Sequence, residues 1–109
     1  MVTEEEVDKA LTWLVENATK AAQARANRLH LEEYRHTVKS LAMKDSKETS
    51  AAAQEREAYS SSVYCEHLQS LKQAVFEDEK YRLYYRAAEV KIECYRTYCA
   101  NLRIQGKIV

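Results

Sequence analysis

The chain has 109 residues, a formal net charge of zero, no proline and one glycine, Gly106. Proline and glycine are the strongest punctuation of a backbone, so their scarcity excludes a sheet-rich fold with many tight turns. Charged residues make up 31% and apolar ones 46%, which excludes a disordered acidic tail, and no apolar run approaches the roughly 18 residues that cross a bilayer.

The first predicted element starts at Thr3-Glu4-Glu5-Glu6. This has the form of a capping box, and three acids suit the positive end of a helix dipole. Val7, Leu11, Leu14, Ala18 and Ala21 then follow a spacing of three and four, as do Leu31, Tyr34, Val38 and Leu41 in a shifted phase. The spacing predicts one helix over about 3–44, with a drifting apolar stripe or a break near Ala26-Asn27. Ala18, Ala21, Ala22, Ala24 and Ala26 would let a second helix approach closely.

Residues 44–50 contain no apolar side chain and several good N-caps, so the first helix ends there. A short connecting helix follows over about 50–59, capped by Thr49 or Ser50. Ser60-Ser61-Ser62 interrupts it and caps a third helix over about 63–104. The stripe of this last helix is Leu68, Leu71, Val75, Tyr81, Tyr85, Ala88, Ile92, Tyr95, Cys99 and Leu102, with Asp78 standing where an apolar residue is expected. Gly106 is the natural stop.

The predicted fold class is therefore all-α: one helical domain over 1–109, with two long antiparallel helices in a coiled-coil-like hairpin. Each long helix would span about 60 Å at 1.5 Å per residue. Net charges of −3, +3, −5 and +5 over residues 1–20, 21–44, 45–79 and 80–109 fit an antiparallel pairing. Trp13, eight tyrosines and Phe76 are a large aromatic content for so thin a core, which implies self-association into a homo-oligomer. The acidic N-terminus lacks the pattern of a signal peptide, and the expected location is the cytoplasm.

No catalytic motif is present. One glycine permits no phosphate-binding loop, and the serines of 60–62 read as caps. His30, His36 and His67 lack metal-site spacing and are expected at a surface or interface. Cys65, Cys94 and Cys99 are expected as reduced, partly buried thiols. Neither a metal nor a cofactor is expected, and neither is an enzyme.

The strongest functional candidate is the C-terminal third. Lys80, Arg82, Arg86, Lys91, Arg96, Arg103 and Lys107 interleave with Tyr81, Tyr84, Tyr85, Tyr95 and Tyr98. Basic side chains can follow a phosphate backbone while tyrosines stack on unpaired bases, a pattern suited to single-stranded DNA. Arg25, Arg28, Arg35 and Lys39 form a second basic cluster. The contrasting expectation is a protein-only adaptor or inhibitor that binds another protein through exposed helix faces.

The segment Ser50–Tyr59, with Ala87-Ala88-Glu89-Val90-Lys91-Ile92-Glu93 and Arg96-Thr97, resembles small all-helical bacteriophage proteins of the early, recombination-associated type. At a coarser level the layout is similar to the T-even phage recombination mediator family, UvsY. That resemblance implies a small helical oligomer that binds single-stranded DNA. It also implies a RecA-like recombinase, an annealing protein or single-strand-binding protein as partner, in the cytoplasm of a phage host. Within the shared segment, Arg56 and Tyr59 are the residues carried over as important, a role that fixing the connector against the hairpin would equally explain.

Overall fold

The computed structural model describes residues 1–106; Lys107, one of the basic residues named above, lies outside them. Three helices make up the fold: α1 over Glu4–Lys44, α2 over Ala51–Ser60 and α3 over Ser62–Ile104. Among the described residues no strand forms. α1 is unbroken through Ala26 and Asn27, so its stripe drifts without a break.

Local chemistry sets the helix ends. The Glu6 amide donates to Thr3 Oγ1 at 3.2 Å, which satisfies one of the orphan donors of the first turn. Ser50 caps α2, its hydroxyl accepting from the Ala53 amide at 3.1 Å. Ser61 serves two helices at once. Its hydroxyl donates to the Ala58 carbonyl at 2.7 Å, closing α2, and accepts from the Tyr64 amide at 3.3 Å, opening α3. Gly106 takes the left-handed conformation, φ 72°, that terminates helices at little cost without a Cβ.

The chain comprises two compact units, residues 1–22 with 80–106, and residues 23–79. In the first unit Val7, Ala10, Leu14, Asn17 and Ala21 of α1 form a covered row, spaced alternately by three and four. Tyr81, Tyr85, Ala88, Ile92, Tyr95, Cys99 and Leu102 of α3 form a covered row in the same alternation. This is the seven-residue repeat of a coiled-coil seam. Trp13 closes one side of it, with ring centroids 5.7 Å from Tyr84 and Tyr85 and 6.5 Å from Tyr81. The Tyr85 hydroxyl donates to the Leu14 carbonyl at 3.4 Å, so the ring is buried without stranding its polar end.

The second unit repeats the arrangement. Ala24, Arg28, Leu31, Val38 and Ala42 of α1 are covered, as are Tyr64, His67, Leu71, Ala74 and Asp78 of α3. α2 contributes Ala58, 1% exposed, and Tyr59 meets Tyr64 edge-on at 5.2 Å. His67 is buried, and its Nε2 donates to the Leu31 carbonyl at 2.8 Å. It is a seam residue, whereas His30 and His36 are exposed.

Two expectations about α1 are corrected. Leu11, Ala18, Tyr34 and Leu41 are exposed, Tyr34 with its ring 6.0 Å from that of His67, and of the five alanines between 18 and 26 only Ala21 and Ala24 are partly covered. The seam uses smaller or polar side chains in their place, because helices packed at close range select position before hydropathy. On α3 the expected stripe is covered throughout except at Leu68, which is exposed.

Candidate functional site

Asp78 is the largest fully buried side chain among the described residues, 2% exposed. Arg28 crosses the seam to it: Nη1 donates to Asp78 at 3.1 Å and to Glu79 at 2.8 Å, while Nε donates to Glu32 at 2.9 Å. Hydrogen bonds to Glu32 and Glu79 hold the guanidinium proton more tightly than usual, more than offsetting the small penalty of burial. Arg28 is thus committed within the fold.

Lys39 is committed likewise. It donates to Glu55 at 2.9 Å and lies over the Tyr59 ring, 4.9 Å from the centroid. Its contact with Tyr59, then with Glu55, pushes its pKa up to about 12, and the ammonium holds the Glu55 carboxyl below its ordinary range. Tyr59 therefore anchors the connector against α1, while Arg56 is exposed beside it. Arg25 and Arg35 are also exposed, Arg35 at the position between Leu31 and Val38 in the spacing of three and four.

In the first unit Arg82, Arg86, Lys91, Arg96 and Arg103 are all exposed, but they do not share one face. Arg82, Arg96 and Arg103 recur at multiples of seven along one flank of α3. Tyr84, Lys91 and Tyr98 do so along another. Sixteen residues separate Arg82 from Tyr98, which places the two rows about 160° apart at 3.6 residues per turn. The interleaving of bases and rings along the sequence is thus split in space. Tyr84 is further engaged edge-on with Trp13. Arg96 and Arg103 share a hollow of about 660 Å³ with Glu93 and Tyr95. The Tyr95 hydroxyl is held to its proton, chiefly by its hydrogen bond to Cys99 and secondarily by burial, with the carboxylates of Glu4 and Asp8 close by. The acidic start of α1 therefore sits beside the basic end of α3.

Between the two rows lies a feature that sequence reasoning missed. Leu83, Val90, Thr97 and Ile104 recur every seven residues on the side of α3 opposite Tyr85 and Ala88. Leu83 is 69% exposed, Val90 39% and Ile104 85%. Ala87, Cys94 and Asn101 fill the intermediate positions, and all are exposed. The resulting alternation of three and four has the spacing of the buried seam, on a face exposed to solvent. The signal is present in the sequence as a seven-residue recurrence, masked by the stronger apolar stripe on the other side of the same helix. The small side chains of Ala87 and Cys94 allow another helix to approach closely.

Cys65 and Cys94 are exposed, and Cys99 alone among the thiols is partly buried. Among the described residues no group of three or more His, Cys, Asp or Glu is placed to hold a metal ion. Nor is any helix among them long and apolar enough to cross a membrane. Comparison with protein-family models, with curated proteins and with solved structures finds no significant match.

Proposed function

We propose that this chain is a non-catalytic helical binding protein whose outer α3 face takes the helix of a protein partner. The observation that carries the reading is the repeat Leu83, Ala87, Val90 and Cys94. It is a coiled-coil seam presented to solvent in the first unit. Scattered exposed apolar residues are ordinary, whereas an exposed row with the spacing of a seam offers a partner helix a surface of matching period. A photoreactive benzoylphenylalanine at Val90 tests this in expressing cells. The reading requires a protein adduct at that position, lost when Leu83 is changed to Asp. An absence of protein adducts contradicts it.

A second reading is single-stranded DNA binding in a recombination-accessory role, with a RecA-like recombinase, an annealing protein or single-strand-binding protein as partner. The shared hollow of Arg96 and Arg103 favours it, since two exposed guanidiniums in one concavity suit a phosphate backbone. Binding of this kind weakens linearly on a log–log plot against salt. Fluorescence anisotropy with an oligo-dT strand across a salt series tests it. Salt-sensitive binding that weakens in the Arg96→Ala/Arg103→Ala variant supports this reading, and no binding at low salt removes it.

A further inference from the structure

The outer face of α3 carries flanking charges that discriminate between partners. Beside the apolar row, Arg86 and Glu93 stand seven residues apart on one flank, and Tyr84 and Lys91 stand seven apart on the other. Arg86 is 68% exposed and lies 3.9 Å from Glu89 of its own helix, a long contact that leaves its head at the surface. Tyr84 keeps 56% of its surface exposed despite its contact with Trp13.

We infer that the occupant of this face is α3 of a second copy of the chain, running antiparallel about a two-fold axis near Ala88 and Glu89. The inference rests on the protein-binding reading above and narrows its partner. In this register Leu83 packs against Cys94 of the second copy and Ala87 against Val90, so every apolar position in the centre of the row meets another. Arg86 then lies opposite Glu93 of the second copy, and Tyr84 opposite its Lys91. The two-fold axis repeats each pairing, giving two ion pairs and two cation–ring contacts along the flanks.

A parallel pairing in register fails on the same residues. It sets Arg86 of each copy against Lys91 of the other, two like-charge contacts, and leaves Glu93 facing Tyr98. The self-complementary order of charges thus selects both the partner and its direction. Such an interface is small, with four apolar side chains per copy at its centre, and association is accordingly concentration-dependent.

Sedimentation velocity on the full chain over a range of concentrations tests the inference, with helicity checked by circular dichroism. The wild type is expected to pass from monomer to dimer as concentration rises. Arg86→Glu and Glu93→Arg should each weaken the dimer by about tenfold, and the double variant Arg86→Glu/Glu93→Arg should recover most of the loss. A wild type that stays monomeric, a double variant no better than the single ones, or an Arg86→Glu variant that dimerises more tightly overturns it. If the photoreactive group at Val90 then captures only a different protein, the protein-binding reading stands while this inference falls. If it captures no protein at all, both fall.

Discussion

Asp78 accepts a hydrogen bond from Arg28 at 3.1 Å across the helix seam, at a position where every neighbouring seam residue of α3 is apolar or aromatic. A buried carboxylate persists only with a partner, and a polar residue at a seam position fixes which turn of one helix meets which turn of the other. Removing the carboxylate by Asp78→Ala leaves Arg28 its bonds to Glu32 and Glu79, so the loss is bounded. Urea unfolding should show a destabilisation of about 2 kcal/mol. The double change Arg28→Leu/Asp78→Leu should regain stability relative to that single variant, because apolar pairs commonly replace buried ion pairs without loss. An Asp78→Ala midpoint equal to that of the wild type would show that the pair contributes nothing.

The Lys39–Glu55 contact gives stability a definite pH window. Lys39 has its pKa raised from 10.5 to about 12, so its contribution is complete below about pH 10 and fades as pH rises through 12. The Glu55 pKa is lowered from 4.5, so its contribution is present above that value and fades as pH falls through the lower folded one. The difference in unfolding midpoint between wild type and Glu55→Gln should be flat from about pH 6 to pH 9 and shrink on acidification. A difference that grows toward acid would refute the pairing.

Ser61 closes one helix and opens the next with a single hydroxyl. Ser61→Ala should cost about 1 kcal/mol, while Ser62→Ala, one residue inside α3 and exposed, should be close to neutral. Thermal melts of the two variants decide the matter, and equal losses would remove Ser61 from its double role.

The helix ends were legible in the sequence because they depend on local chemistry: Thr3, Ser50, the serines of 60–62 and Gly106 each act within four residues of themselves. The α3 stripe was legible too, since its tyrosines, Ala88, Ile92 and Leu102 hold one phase. The α1 stripe was obscured. Leu11 and Leu41 outrank Ala10 and Ala42 in hydropathy, yet the seam takes the alanines because their place on the helix faces the partner. Arg28 and Lys39 looked like nucleic-acid ligands because their carboxylate partners, Asp78, Glu79 and Glu55, lie far away in sequence. The exposed row on α3 is not legible, because a helix with apolar residues on two opposite sides loses the one-sided pattern by which amphipathic helices are recognised.

The most direct test of a covered outer face uses a thiol already on it. Cys94 lies in the row between Val90 and Thr97, while Cys65 is exposed in the second unit and serves as an internal reference. Alkylation by a bulky maleimide, followed for both thiols at rising protein concentration, should slow at Cys94 and remain unchanged at Cys65. Equal and concentration-independent rates at the two cysteines would contradict the account.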